Sequence, residues 1–235
     1  MLLKNANIII TGGSSGIGKQ TAKLLISAGA NVLITGRDAV KVAQVAEEIG
    51  CLAYAADVSD DQAIKATFEY ADKHLPGKLD ALINNAGIGV FGELETMSRK
   101  QFDEIFNVNV YGVAMMMKHA IRRFKQNETQ GTIINIASTS ALKGFKGGSV
   151  YAASKFALRG LTQCVVDEVR RHNIRVCLVC PSEVTTAFGN VERVERTEID
   201  NKLRPSDIAK TIKDLLEFDN RAFVPEISVW ATNPF

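Results

Sequence analysis

The chain has 235 residues, of which 46% are hydrophobic and 23% charged, and its formal net charge is +2. This length and balance are typical of one domain with a full buried core. No run of Lys and Arg points to a nucleic-acid or anionic-membrane partner, and no apolar run reaches the roughly 18 residues of a membrane-spanning helix.

Short β-branched segments alternate with longer amphipathic segments along the chain. The predicted strands are Asn7–Thr11, Asn31–Thr35, Cys51–Ala56, Leu79–Asn84, Gly131–Ala137, Ile174–Cys180 and Ala222–Trp230. Such alternation indicates βαβ units, and continuously apolar strands indicate a parallel sheet covered on both faces. We expect a single doubly wound α/β domain over residues 1–235. The first strand begins so early that we expect no signal or transit peptide and a cytoplasmic location.

A glycine-rich turn follows the first strand and opens the first helix. It reads Thr11-Gly12-Gly13-Ser14-Ser15-Gly16-Ile17-Gly18. Gly12 permits a tight turn, Gly16 lets backbone N–H groups approach a pyrophosphate, and Gly18 allows close helix–strand packing. The helix N-terminus adds unpaired N–H donors and a positive dipole end. The alternative is a glycine-rich turn without a ligand, and the glycine spacing departs from the plain GxGxxG pattern.

The end of the second strand bears on the choice between NAD and NADP. NAD-selective sites place an acidic residue there to hold the ribose 2′-hydroxyl. This chain has Gly36 at that position, followed by Arg37, whose charged fork suits a 2′-phosphate, and Ser14 could add a hydroxyl donor. We therefore expect NADP(H) to be preferred, with NAD possible, and Gly36→Asp to shift the preference toward NAD(H). Alternatively, Arg37 only begins a solvated turn, or Asp38 pairs with it or reaches the ribose.

Capping residues, cysteines and a charged segment mark other positions. Ser59 with Gln62 and Ser98 with Gln101 predict two helix starts. Cys177 and Cys180 have CxxC spacing but fall on a predicted strand, where odd separation sends side chains to opposite faces. We expect no metal site. Residues 187–204, dense in both charges after Ala187, are either a solvated segment or a substrate lid.

Tyr151-Ala152-Ala153-Ser154-Lys155 opens a long predicted helix. Tyr151 and Lys155 are four residues apart and share one helical face. A neighbouring ammonium favours the phenolate, so we expect it to lower the tyrosine pKa toward the working range. By itself such a pair is commonly an ordinary surface pair.

Together with the glycine loop, the pair makes the chain resemble the short-chain dehydrogenase/reductase family over essentially its whole length. The resemblance rests on Thr11–Gly18, Asn84-Asn85-Ala86-Gly87, Asn109, Ser138, Tyr151 with Lys155, and Pro181–Thr186. It implies strand order 3-2-1-4-5-6-7 and hydride transfer between a nicotinamide and a small carbonyl or alcohol.

The resemblance implies four catalytic residues. Ser138 would hydrogen-bond the substrate oxygen, Tyr151 would give or take its proton, and Lys155 would hold the nicotinamide ribose while tuning Tyr151. Asn109 would anchor a water relay to Lys155. Without the resemblance, Asn109 would be a buried asparagine satisfied by a neighbour and Ser138 a strand-end turn residue.

The resemblance also places the cofactor. Asp57, with Val58, would lie at the adenine, although Asp57 could instead be a helix-start carboxylate. Asn85, Ala86 and Gly87 would line the cofactor beside the fourth strand. Pro181, Val184 and Thr186 would contact the nicotinamide end, together with Tyr151 and Lys155. The family usually has Gly after this proline, where the chain has Ser182, so we expect the backbone beside the nicotinamide to differ slightly from the family pattern.

The sequence does not identify the substrate, but the candidate pocket residues are mostly apolar. They are Val90, Phe91, Ser140, Ala141, Leu142, Phe145, Ser149, Glu183 and Phe188. Lys143 and Lys146 could attract an acid group, as in a 3-hydroxy acid. Two alternatives are a catalytically silent NAD(P)-binding sensor or scaffold, and a 3-oxoacyl-acyl-carrier-protein reductase. The C-terminus lacks the glycine-rich ending of the latter, and an epimerase or dehydratase would need a further domain.

We expect a homodimer or homotetramer. The family commonly associates through the two helices that carry Asn109 and Tyr151. Apolar residues lie on more than one face of the first of them: Val110, Val113, Met115, Met117 and Ile121. A helix that is apolar beyond one stripe needs a second partner.

Overall fold

Seven parallel strands form one sheet in the order β3-β2-β1-β4-β5-β6-β7. The structure is a computed structural model that describes residues 1–189, 194 and 196–234. The order and the α/β class are those that the sequence predicted. The strands are β1 (Asn7–Thr11), β2 (Asn31–Gly36), β3 (Leu52–Ala55), β4 (Ala81–Asn84), β5 (Thr132–Ile136), β6 (Arg175–Pro181) and β7 (Glu226–Val229).

Helices connect the strands and cover both faces of the sheet. They are α1 (Gly16–Ser27), α2 (Ala39–Ile49), α3 (Asp61–His74), α4 (Arg99–Phe106), α5 (Val113–Asn127), α6 (Ser149–Val169) and α7 (Pro205–Glu217). A π-helical segment, Asn107–Gly112, joins α4 to α5. None of the helices in the described part of the chain is long and apolar enough to cross a membrane.

Two buried clusters, one on each face, hold the sheet. Ile8 and Ile10 of β1 pack with α1, α2 and α7, whereas Ile9 packs with α3, α5 and α6. This alternation follows from the two-residue period of a strand. Cys177 and Cys180 are buried in opposite clusters, as their spacing predicted. Burial raises the pKa of each thiol to about 11, so both are packed as small apolar groups.

The helix starts were predicted with mixed success. Ser98 and Gln101 form the predicted capping box of α4. The predicted box of Ser59 with Gln62 is wrong, because Asp60 is the N-cap of α3 and its carboxylate accepts from the Gln62 N–H at 2.8 Å. A carboxylate one residue later fits the N-cap position and also favours the positive end of the helix dipole. The ends of the strands differ from prediction most at β7, which is four residues long.

Candidate functional site

A cleft of about 660 Å³ opens at the carboxyl ends of the central strands. Its wall combines the turn after β1, the ends of β4, β5 and β6, and the start of α6. The predicted site residues that line it are Gly12, Ser15, Gly16, Ile17, Ala86, Gly87, Asn85, Ser138, Tyr151, Lys155, Pro181, Val184 and Thr186. Parallel topology explains this convergence, because all the strand ends meet at one edge.

The glycine turn adopts a shape that requires glycine at two positions. Gly12 has φ +64° and Gly16 has φ +49°, in the left-handed region. A Cβ on Gly18 would stand 2.3 Å from the Gly12 carbonyl oxygen, so the helix packs on the turn without room for a side chain. Ser15 is the N-cap of α1 but its side chain makes no capping hydrogen bond. Gly16 and Ile17, the first residues of α1, line the cleft, so the positive end of the helix dipole lies beside it.

Asn85 braces this turn. Its Nδ2 donates to the carbonyl oxygens of Thr11 at 3.1 Å and Gly12 at 3.0 Å. The Thr11 hydroxyl accepts from the backbone N–H groups of Asn85 and Ala86. These bonds tie the end of β4 to the turn after β1, so these two parts of the cleft wall are fixed to each other.

The ends of β2 and β3 carry the residues predicted for the 2′-position and the adenine. Arg37 is exposed, and no described residue forms an ion pair with it. Asp38 is the N-cap of α2 and accepts from the Lys41 N–H at 3.0 Å, which leaves it committed to the helix. Ser14 packs beside Gly36, since a Cβ added to Gly36 would stand 3.2 Å from Ser14 Oγ. Asp57, followed by Val58, accepts both the N–H and the hydroxyl of Ser59 through Oδ1.

Tyr151, Lys155 and Ser138 meet on the floor of the cleft. The Ser138 hydroxyl is hydrogen-bonded to that of Tyr151, and Ser138 Oγ also accepts from the Ser140 N–H at 3.1 Å. Lys155 Nζ donates to the Ile136 carbonyl oxygen at 3.1 Å and lies 5.8 Å from the centre of the Tyr151 ring. The structure thus brings these three side chains together in one cleft.

Burial sets the protonation of the pair. It raises the pKa of Tyr151 to about 12 and lowers the pKa of Lys155 to about 8. The prediction that the ammonium would lower the tyrosine pKa is therefore wrong for the protein alone. Desolvation disfavours both charged forms and outweighs the hydrogen bond from Ser138, which acts in the opposite direction. Tyr151 is a neutral hydroxyl at pH 7, which is the form that can donate a proton.

Asn109 lies in the π-helical segment and is fully buried. Its side chain bonds both backbone groups of Ile88, each at 2.9 Å, and its Nδ2 also lies 3.1 Å from Ser154 Oγ. Because Ser154 is on α6 between Tyr151 and Lys155, Asn109 links the turn after β4 to the helix of the pair. The amide of Asn109 is thus engaged by protein groups.

Comparisons with known proteins agree with this geometry. The family model described as short chain dehydrogenase matches residues 6–196. The chain is 32% identical over 215 residues to the 3-ketodihydrosphingosine reductase of Bacteroides thetaiotaomicron, covering 91% of this chain and 77% of that protein. It is 33% identical over 187 residues to L-xylulose reductase of Caenorhabditis elegans, covering 77% and 73%.

Among solved structures, a similar one is the 3-ketoacyl-(acyl-carrier-protein) reductase of Brucella melitensis complexed with NADH. It has 30% identity and a TM-score of 0.89, with 99% of this chain and 100% of that chain covered. A metagenomic short-chain oxidoreductase in complex with NADP has 32% identity and a TM-score of 0.83, covering 97% and 98%. The chain is a short-chain dehydrogenase.

As a short-chain dehydrogenase, the chain is an oxidoreductase that acts on CH–OH and C=O groups. Its cleft fits a nicotinamide dinucleotide. Gly12 and Gly16 leave the turn open to a pyrophosphate, and a Cβ on Gly16 would already stand 3.1 Å from Thr186 Cγ2. Thr186 therefore approaches the glycine turn closely, and glycine at position 16 keeps the turn itself free of side chains, as a bound pyrophosphate needs.

The substrate side of this dehydrogenase is aromatic. The Phe91 ring lies 5.4 Å from that of Tyr151 and 6.0 Å from that of Phe145, and Phe188 lies 5.6 Å from Tyr151. The predicted pocket residues Phe91, Ser140, Phe145, Glu183 and Phe188 line the cleft. The predicted residues Val90, Ala141, Leu142 and Ser149 are outside the lining that the described residues form; Ala141, for one, is fully buried in the core.

The two lysines predicted to attract an acid group lie outside the lining too. Lys143 is exposed and Lys146 pairs with Glu93 at 3.5 Å. Instead, the cleft contains Arg196, which sequence reasoning missed. Nothing in the spacing around Arg196 distinguished it from the other charges of residues 187–204. That segment is described at 187–189, 194 and 196–204, and the predicted lid otherwise lies outside the described residues.

Proposed function

We propose that this dehydrogenase is an NADP(H)-dependent reductase of a small ketone or aldehyde. The observation that carries the proposal is that Ser138, Tyr151 and the buried Lys155 line one cleft, with Lys155 Nζ 5.8 Å from the centre of the Tyr151 ring. Burial keeps the Tyr151 hydroxyl neutral, which is the form that donates a proton. A reduced nicotinamide supplies the hydride when bound. Tyr151 then donates the proton to the substrate oxygen, and Ser138 donates a hydrogen bond that stabilises the charge developing there.

Lys155 holds the cofactor and Asn109 positions the helix in this proposal. Lys155 makes one bond to Ile136 and is buried among the strand ends, which leaves ammonium hydrogens for the ribose hydroxyls. The bond from Asn109 to Ser154 fixes the turn of α6 between the two catalytic side chains. A water relay from Asn109 to Lys155 would start from its backbone, since its side-chain amide is engaged.

The preference for NADP(H) rests on charge at the end of β2. Arg37 is exposed beside Gly36 and Ser14, and its guanidinium is paired with none of the described carboxylates. Asp38 accepts a capping bond from the Lys41 N–H through Oδ1, so one of its oxygens is engaged by α2. A cationic fork that is not paired with a carboxylate favours a 2′-phosphate over a 2′-hydroxyl. Asp57 and Val58 would flank the adenine.

A cofactor-oxidation screen tests the proposal. NADPH and NADH are each mixed with the protein and a panel of aldehydes, ketones and keto acids, and absorbance reports loss of the reduced nicotinamide. We expect turnover of at least one carbonyl class, faster with NADPH at low cofactor concentration. Tight NADPH binding with no turnover of any carbonyl would instead support the silent-sensor alternative.

A second candidate activity is reduction of an acyl thioester ketone. The Brucella melitensis structure and a human relative, 35% identical over 179 residues, are both named as acyl-carrier-protein reductases. Including acetoacetyl thioesters in the screen distinguishes this activity from reduction of free ketones and 3-keto acids.

We also propose a cytoplasmic homodimer or homotetramer built of single domains over residues 1–235. Val113 and Met117 are buried within the protomer, but Val110, Met115 and Ile121 remain partly exposed on the same helical run. That exposed apolar strip supports a second partner for α5. Light scattering at micromolar concentration tests it, and a monomer mass would reject it.

A further inference from the structure

The substrate side of the cleft has two chemically different ends. The rings of Phe91 and Phe188 contact that of Tyr151, and the Phe145 ring packs on Phe91. The exposed fractions of Phe91, Phe145 and Phe188 are 48%, 48% and 39%. Exposed large apolar side chains that converge in a cleft are typical of a ligand site. A flat apolar group next to the reacting carbonyl would cover these rings.

The other end carries a cation. Arg196 lines the same cleft, and its Nη1 and Nη2 both donate to Glu183 Oε1 at 3.1 Å. A guanidinium has five N–H donors, so this end-on contact uses two of them. Among the contacts of the described residues, Nε has no acceptor. The edge formed by Nε and one Nη is the edge that binds a carboxylate through two parallel hydrogen bonds.

Glu183 holds Arg196 in place but does not cancel the positive charge of the group formed by Arg196, Glu183 and Lys202. Its second oxygen, Oε2, pairs with Lys202 Nζ at 3.1 Å. The two cations hold the pKa of Glu183 below its usual range, so it stays charged. One carboxylate shared by two cations leaves one positive charge in excess. Besides Arg196 and Glu183, the charged side chain among the described residues that line the cleft is Lys155, which the proposed function assigns to the cofactor.

We propose that the substrate is a carbonyl compound with a flat apolar group beside the carbonyl and a carboxylate at its far end, bound by Arg196. This inference rests on the proposed reductase activity and names its substrate class. Arg196 is a specificity residue in this account and takes no part in proton transfer. Glu183 is a positioning residue, since it acts through Arg196.

Matched acids and esters test the proposal. The probes are benzoylformate and 3-benzoylpropionate, each with its methyl ester, so that charge changes while the aryl ketone stays. We expect wild-type protein to have a higher kcat/KM for an acid than for its ester. In Arg196→Met the acid-to-ester ratio of kcat/KM should fall about ten-fold, up to a hundred-fold. The loss should appear mainly in KM for the acid, because the contact exists before and during the reaction.

Lys202→Met is the matched control. It removes the same charge from Glu183 but leaves the guanidinium in the cleft, so the ratio should change by less than about three-fold. Arg196→Lys keeps the charge and loses the fork, and should fall between the wild type and Arg196→Met. Added salt should reduce the wild-type preference, since Arg196 and Glu183 are 40% and 50% exposed.

Three outcomes would overturn the proposal. They are esters turned over as well as acids by the wild type, an unchanged ratio in Arg196→Met, and no turnover of any aryl probe. Turnover of other carbonyls in the broad screen would then leave the proposed reductase activity standing. Absence of turnover in both experiments would remove the activity as well, so the two failures are distinguishable.

Discussion

The two walls of the cleft are built differently. The wall predicted for the cofactor consists of strand ends and a glycine turn. Hydrogen bonds between backbone groups and the side chains of Asn85 and Thr11 hold it in place. The opposite wall consists of half-exposed rings such as Phe91 and of Arg196, held by an exposed ion pair. One wall is fixed by buried backbone geometry, and the other by side chains on connecting segments.

This difference separates chemistry from substrate choice. Hydride transfer needs atoms held to fractions of an ångström, which buried strand ends provide. Substrate recognition can vary on connecting segments without disturbing the sheet. We therefore expect the substitutions described below, which alter the cofactor wall, to have strong and specific effects. Changes on the second wall should alter which carbonyl is used, as the Arg196 variants test.

The largest expected effect comes from removing one hydroxyl. Tyr151→Phe should lower kcat by about 10²–10⁴-fold, because proton donation is lost while the ring contacts remain. Affinity for NADPH, measured by its fluorescence, should change little. Wild-type kcat in this variant, with proton transfer shown to limit the rate by a solvent isotope effect, would exclude Tyr151 as the acid.

Filling the glycine turn should damage the cofactor wall. In Gly18→Ala the new methyl would overlap the Gly12 carbonyl oxygen, at 2.3 Å. We expect a loss of about 1–3 kcal/mol in the free energy of unfolding, since overpacking costs this much, together with weaker cofactor binding. Gly144→Ala is the control, because nothing lies within 4 Å of its Cβ. Equal stability and NADPH affinity in both variants would show that the turn has room to spare.

Cofactor choice should respond to the end of β2. Arg37→Ala should weaken NADPH binding about ten-fold and leave NADH binding nearly unchanged, since an exposed charged contact lies at the lower end of its usual range. Titrating both reduced cofactors measures this effect. Equal affinities, or tighter NADH binding, in the wild type would contradict the NADP(H) preference.

The reverse change needs two substitutions. A Cβ on Gly36 would stand 2.8 Å from Val42 Cγ2, so Gly36→Asp alone would push the buried Val42 of α2 away from the end of β2. Combining it with Val42→Ala makes room for the carboxylate, and Val42→Ala alone is the control. We expect only the double variant to move the preference toward NADH while keeping the fold, as the melting temperature would report.

The last prediction concerns stability rather than turnover or cofactor choice, and it is a pH dependence. Burial lowers the pKa of Lys155 from 10.5 to about 8, so between these values the unfolded chain binds more protons than the folded one. The contribution of Lys155 to the free energy of unfolding therefore rises as the pH rises from about 8 to 10.5. Urea unfolding of the cofactor-free wild type should show a free energy that increases from pH 8 to 10 relative to Lys155→Met. Parallel curves for the two proteins would contradict a depressed Lys155 pKa.

The sequence was sufficient for the order of the sheet and for bringing together the three side chains predicted to be catalytic. Apolar strands and turn glycines are local signals, and parallel topology brings Ser138, Tyr151 and Lys155 to one edge. It was insufficient for protonation, because the pKa of Tyr151 depends on burial by chain segments far away in sequence. It also misplaced the helix cap at Ser59, where the neighbouring Asp60 competes for the same role.

The substrate wall could not be predicted for a different reason. Ala141 is an apolar residue close to Ser138 in sequence, but it is buried in the core rather than in the cleft. Arg196 reaches the cleft from a segment without a periodic pattern, held by Glu183 at the end of β6. Such contacts depend on the path of a long connection, which short-range signals do not specify.

Transfer of a deuterium label tests the central claim most directly. NADPH carrying deuterium on one face of its nicotinamide C4 is incubated with the protein and a carbonyl found in the screen, and the alcohol is analysed by mass spectrometry. Our account predicts deuterium on the carbinol carbon from one of the two labelled faces and none from the other, with the signal lost in Tyr151→Phe. Unlabelled alcohol from both faces would contradict direct hydride transfer in this cleft.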